Sequence, residues 1–259
     1  MSIAEAFAEH LSKEGYHPRS AKHSDFLSHV IIRDLLDGCP RIRQRAETGE
    51  LVAKLCHHQQ VGHDDWVIDI ALGSCAGRPS PPVEGEHIRL TQPAIIQIAV
   101  ELKSIITEHG KARRNRLRDF NAFHGYAHQY NPKTIAAAFL VVNSSENFYS
   151  PLRRPDDITK HGSKQRSAAQ VAQEATNIFR AINLRNSLVD PPGLEAFGVI
   201  VVEHDNLALH PTPEKYKTLH KPTRVAPIPP SLPVGDPMHY DTMIQRICNA
   251  YNERFGVVA

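Results

Sequence analysis

No stretch of this 259-residue sequence is apolar for long enough to cross a bilayer. The longest apolar runs, such as Ile135 to Val142 and Phe197 to Val202, stop far short of the roughly 20 residues a spanning helix needs. No transmembrane helix, and so no membrane partner, is expected. Also missing is a basic start followed by an apolar segment. The opening M-S-I-A-E-A-F-A-E-H is amphipathic and carries Glu5 and Glu9, so a signal peptide is not expected and the predicted location is cytoplasmic. Cysteine is scarce: Cys39, Cys56, Cys75 and Cys248 show no C-x-x-C spacing, which favours free thiols in a reducing compartment over a disulfide framework. Cys56, His57, His58 and His63 resemble zinc ligands in type only. On a helix adjacent residues diverge, and no second half-site follows.

An excess of one charge is lacking too. Lys and Arg number 30 against 28 Asp and Glu, so net charge does not mark a nucleic-acid binder and the placement of charge must decide. There is no Walker loop, dinucleotide fingerprint or nucleophile elbow. His124 and His128 have the i,i+4 spacing of metal ligands but stand in no H-E-x-x-H frame, and aromatic-rich packing is the expected use.

What the sequence does contain is periodicity. Residues 1 to 14 and 24 to 37 have helical spacing, with Phe26, Val30, Ile31 and Leu35 or Leu36 as a buried stripe and Ser24 as a cap. After Cys39-Pro40 a further helix is predicted from about Ile42 to Gln59, weakened at Gly49. Asp65 to Leu72 alternates as a strand, placing Trp66, Ile68, Ile70 and Leu72 on one face and Asp69 on the other. Residues 73 to 85 read as a loop and His87 to Leu90 as a short strand. The central strand is I-I-Q-I-A-V-E-L-K, from Ile95 to Lys103. Its alternation puts Ile96, Ile98, Val100 and Leu102 on one side and Gln97, Ala99, Glu101 and Lys103 on the other.

A helix follows to Tyr130, packed through Leu117, Phe120, Phe123 or His124, and Ala127, and stopped by Asn131-Pro132. Thr134 to Val142 and Glu195 to Val202 read as buried strands. Between them lie a long polar loop, 144 to 163, with Pro151, Pro155 and Gly162, and a helix from Lys164 to Arg185. Eight of the 19 prolines fall between Asn206 and Pro237, predicting irregular surface backbone. A last helix, Met238 to Phe255, docks through Met243, Ile247 and Tyr251. The predicted fold class is α/β with a mixed central sheet flanked by helices. One domain is expected over 1–259, with a core from about 42 to 204; the N-terminal helices 1–41 and the segment 205–259 pack on it.

Two features in this frame carry chemistry. A carboxylate and an amine, Glu101 and Lys103, leave the end of an apolar strand side by side, and Asp69 sits mid-strand where aspartate is disfavoured. Asp65 is the rival carboxylate at that strand's start. Downstream, Lys111, Arg113, Arg114, Arg116 and Arg118 place five cations within eight residues, with Lys111, Arg114 and Arg118 on one helical face. DNA phosphates are the natural partner of such a helix, and Arg113 and Arg116 can instead pair with acids.

Asp69 followed by Glu101-Leu102-Lys103 at the end of the next long strand, and then a helix, resembles the PD-(D/E)XK nucleases, most nearly a type II restriction endonuclease. The likeness spans roughly Glu47 to Val202. It departs in having Ile68 rather than proline before Asp69, and in the long insertion between Asp69 and Glu101. The resemblance implies a restriction-endonuclease-like core and Mg²⁺, replaceable by Mn²⁺, on Asp69, Glu101 and the Leu102 carbonyl. It implies Lys103 as the group that orients water and offsets charge. Glu50, or else Glu47, is the candidate extra carboxylate from the preceding helix. Lys111, Arg113, Arg114, Asn115 and Arg118 are the DNA-contacting candidates, and His109 is a further phosphate candidate. The expected partner is double-stranded DNA, with a homodimer for two-strand cleavage. Alternatives are a defence or repair nuclease regulated by a partner or a nucleotide signal, and a non-catalytic DNA-binding protein or assembly subunit of the same fold.

Overall fold

The computed structural model describes residues 1–107, 109–154, 157–209 and 212–256. Ser2 caps α1 (Ile3–Glu14): its hydroxyl accepts the Glu5 N–H while the Glu5 carboxylate accepts the Ser2 N–H, which satisfies two orphan donors reciprocally. Helix α2 (Lys22–Gly38) buries Leu27, Val30, Ile31 and Leu35. Its cap is not Ser24, which lies inside the helix with its hydroxyl on the Ala21 carbonyl at 2.9 Å. Pro40 opens α3 (Pro40–Glu47), where a missing N–H costs nothing.

The helix predicted to reach Gln59 ends at Glu47, and Leu51–Val61 is instead a strand, β1. Gly49 is the cause. It holds φ +74, and a Cβ there would stand 1.8 Å from the Ser80 carbonyl oxygen, so the chain reverses where a helix would have continued. A two-residue turn led by Gly62, φ +62, joins β1 to β2 (Asp64–Ser74).

The short strand β3 (Arg89–Leu90) precedes β4 (Ile95–Ile105). Helix α4 (His109–Tyr130) then crosses to β5 (Ile135–Asn143), which is buried throughout. Segment 144–163 holds two short antiparallel strands, β6 (Asn147–Tyr149) and β7 (Ile158–Lys160), where an irregular loop was expected. Pro155 of that segment, and Pro211 of the proline-rich one, lie outside the described residues. A Ser167–Gln170 capping box starts α5 (Ala168–Asn177), which passes into a 3-10 turn at Ile178–Ala181, so the helix expected over Lys164–Arg185 is shorter at both ends. The chain finishes with β8 (Ala196–Glu203), α6 (Glu214–Lys217), β9 (Arg224–Val225) and α7 (Tyr240–Phe255).

The fold is α/β, with a seven-stranded mixed sheet in the order β3-β1-β2-β4-β5-β8-β9. β1, β2 and β4 are antiparallel, and β4, β5 and β8 are parallel. Helices α1, α2, α3 and α7 cover one face, and Met243, Ile247 and Tyr251 are fully buried there. The other face is covered by α4 and α5 through Phe120, Phe123, Ala127, Ala172 and Ala175.

Two face assignments differ from strict alternation. The β2–β4 register slips between Leu72–Ile98 and Gly73–Ile96, leaving Gln97 as an extra residue of β4. Gln97 therefore turns to the α7 side, accepting from Tyr251 at 3.1 Å and Arg45 at 3.2 Å, and Ile96 packs on the face opposite Ile98. In β2, Trp66 and Ile68 pack with α4 while Ile70 and Leu72 pack on the other face. Between the Leu55–Ile70 and His57–Ile68 pairs, Cys56 takes φ +47 and interrupts the pleat opposite Asp69.

The cysteines are not all free. Cys39 and Cys248 form a disulfide with Cα atoms 5.4 Å apart, tying the α2–α3 junction to α7 across 209 residues; Cys56 and Cys75 are thiols. Among the described residues no helix is long and apolar enough to cross a membrane.

Candidate active site

Strands β2 and β4 pair from Ser74–Ile95 to Ile70–Val100 and then part, while β4 stays paired with β5 as far as Ile105–Val142. This fork leaves the β2-facing flank of β4 without a ladder partner. Asp69 supplies one: its Oδ2 accepts the Leu102 N–H at 2.7 Å. That contact accounts for an aspartate in mid-strand, because the carboxylate replaces a missing backbone acceptor. The N–H and C=O of one strand residue point to the same flank, so the Leu102 carbonyl is directed to the fork as well.

Glu101 and Lys103 leave β4 at this point on one face, and Lys103 Nζ donates to Glu101 Oε1. Glu101 is only 9% exposed. Burial pushes its carboxyl up to about 7; Lys103 pulls against that shift and the Asp69 charge adds to it. Burial also raises Asp69, against the opposing pull of the Leu102 N–H and Lys103. The arrangement is thus two desolvated carboxyl groups, one ammonium group and one free-flanked carbonyl at the end of a rigid sheet. It can hold a hard cation and present a proton donor beside it. Among the described residues no group of three or more His, Cys, Asp or Glu side chains could hold a metal ion.

The structure brings Asp69, Glu101, Leu102 and Lys103 together and leaves Glu50 out. Glu50 lies opposite Cys75, whose N–H it accepts at 2.9 Å, and its exposed carboxylate meets Arg45 at 3.2 Å. Cys75 is six residue steps along the chain from Asp69, roughly 20 Å in extended backbone. Glu47 is exposed and lines a cavity with Arg33 and Arg43, away from the fork. Asp65 is also elsewhere, paired with His58 Nδ1 at 2.8 Å.

On α4, Gly110, Lys111, Arg114, Asn115, Leu117 and Arg118 line a shallow groove of about 660 Å³. Arg113 reaches Glu174 at 3.9 Å and Arg116 pairs with Asp119 at 2.9 Å, the acid-pairing alternative for these two. His109 is buried and its Nε2 donates to the Asn143 carbonyl at 2.7 Å, while the residue also lines a cavity of about 400 Å³ with Gly110 and Lys111. His128 lies 3.3 Å from the buried Glu195. Sequence reasoning gave no role to Asp119, whose charge helps raise Glu101 from α4, or to Tyr16, whose hydroxyl lies 3.1 Å from Ser104. Asp119 had a signal as the lone acid closing the cationic run, whereas Tyr16 had none. No known protein family, curated protein or solved structure matches the chain.

Proposed function

We propose that this chain is a Mg²⁺-dependent endonuclease that hydrolyses phosphodiester bonds of double-stranded DNA, a type II restriction enzyme working as a homodimer, with Mn²⁺ able to replace Mg²⁺. The observation that carries the reading is the fork at Asp69, Glu101 and Lys103. Its setting supports it: β2 with the aspartate, β4 with E-L-K and then α4, the order on which the likeness to PD-(D/E)XK nucleases rests, with a parallel β5 after it.

The residues fit the metal. Asp69, Glu101 and the Leu102 carbonyl are hard oxygen donors, too few to enclose an ion, which suits a cation that retains several waters. The burial that raises both carboxyl groups is a cost that a bound divalent cation offsets. When bound, Mg²⁺ supplies a water of lowered pKa and neutralises charge on phosphorus-bound oxygen. Lys103 Nζ, held by Glu101, is placed to orient the attacking water and to donate to a phosphate oxygen as charge develops. Asp69 keeps the Leu102 N–H and so fixes the mouth of the fork. Lys111, Arg114 and Arg118 hold DNA phosphates along α4.

Digestion of a large mixed DNA with Mg²⁺, followed by sequencing of the ends, tests the reading. Uniform ends are expected. Random ends would replace restriction by unspecific degradation, and DNA binding without cleavage would make the protein a non-catalytic binder.

A further inference from the structure

Tyr16 belongs to the segment between α1 and α2, 88 positions before Ser104, yet the two hydroxyls meet at 3.1 Å. The position is built. Asn206 Oδ1 accepts the Tyr16 N–H at 2.9 Å, and Asn206 Nδ2 donates to the Tyr16 carbonyl at 2.9 Å and to the Tyr149 carbonyl at 3.3 Å. To do so the buried Asn206 holds φ +58, a left-handed conformation in which Asn is enriched. The Tyr16 ring stacks on His23 at 5.0 Å and meets Phe148 at 6.0 Å. A phenol is thereby fixed one residue beyond Lys103.

The hydroxyls open on a cavity of about 290 Å³ lined also by Thr107, Lys111, Asn115 and Arg116. Among the described residues no carboxylate lines it. Its polar groups are surplus donors. A hydroxyl pair uses one O–H between its members and leaves the other to donate outward. Asn115 gives its oxygen to Arg118 at 2.7 Å, which leaves its NH₂ group. Lys111 has no ion pair among the described residues, whereas Arg116 is held by Asp119 at 2.9 Å. A cavity rich in donors, with an unpaired lysine and no carboxylate among the described residues that line it, is complementary to an anion that accepts several hydrogen bonds.

We propose that this cavity is a phosphate subsite, resting on the nuclease reading above, and that it holds the DNA phosphate next to the one being cut. Successive strand residues face opposite ways, so Ser104 does not share the face of Glu101 and Lys103, and the group it meets is a neighbour of the scissile phosphate. Tyr16 and Ser104 are its neutral donors and Lys111 is its charge, Arg116 being already paired with Asp119.

The test is binding of a mixed-sequence DNA duplex across a salt series without Mg²⁺, with cleavage followed separately in Mg²⁺. Tyr16→Phe and Ser104→Ala each leave one hydroxyl free to turn to the phosphate, so each single change is expected to cost less than their combination. The double variant loses a hydrogen bond to a charged group and should bind roughly tenfold more weakly or worse. Its slope of log K against log salt stays at the wild-type value, because no charge is lost. Lys111→Gln, an exposed change that leaves the core intact, should lower that slope by about one. Double-variant affinity within twofold of wild type, or an unchanged slope in Lys111→Gln, overturns the subsite while wild-type cleavage leaves the nuclease reading standing. Wild-type protein that neither binds nor cuts DNA overturns both.

Discussion

A lysine at a strand end is common and carries little information alone. What distinguishes Lys103 is its donation to a carboxyl that burial has already pushed to about 7, beside a second desolvated carboxyl. A group that orients water and offsets transition-state charge contributes on the scale of a lost general base. Lys103→Met should therefore slow single-turnover cleavage at saturating enzyme and Mg²⁺ by at least about a hundredfold, with a far smaller fall in DNA affinity. A rate within about threefold of wild type would remove Lys103 from the mechanism, since methionine can cover the same apolar surface at small cost. Asp69, Glu101 and Lys103 were legible in the sequence because ionisable residues inside a period-two apolar strand have no secondary-structure reason to be there. Gln97 was misplaced by the same rule, because a bulge adds one residue and inverts the face of what precedes it. Tyr16 and Ser104 were not legible, since their meeting depends on Asn206, 190 positions from Tyr16.

At the level of elements, β1 shows where pattern reading fails. Leu51, Val52 and Leu55 satisfy helical spacing as well as a buried strand, and only the positive φ at Gly49 and the long ladder with β2 decide between them. Reading those residues as helix also carried Glu50 toward the site, although it lies at the far end of the hairpin. Helix α4 was read correctly because its two faces differ in kind: Phe120, Phe123 and Ala127 are buried, and Lys111, Arg114 and Arg118 are exposed. If those cations meet phosphates, neutralising Lys111 and Arg114 together should weaken DNA binding and flatten the slope of log K against log salt by about one to two units. An unchanged slope would make them a solvated helix face.

At the level of the molecule, the α/β class and the mixed sheet follow from the order of strands and helices, whereas the Cys39–Cys248 link does not, because no spacing pattern reports a pairing across 209 residues. Alkylation of denatured, unreduced protein should label two cysteines, Cys56 and Cys75, and reduction should lower stability by roughly 2–5 kcal/mol. Four labelled cysteines before reduction would contradict the link. The sheet's larger consequence is the fork itself: β4 is held along one edge by β5 while its other edge is released from β2 where Asp69 and Glu101 stand. The most direct test of that arrangement is cleavage of supercoiled plasmid with Mg²⁺ by the wild-type protein and by Asp69→Ala and Glu101→Ala, each checked for retained fold and DNA binding. The account predicts Mg²⁺-dependent cutting by wild type and its loss in both variants; full activity in either variant, or none in wild type, would contradict it.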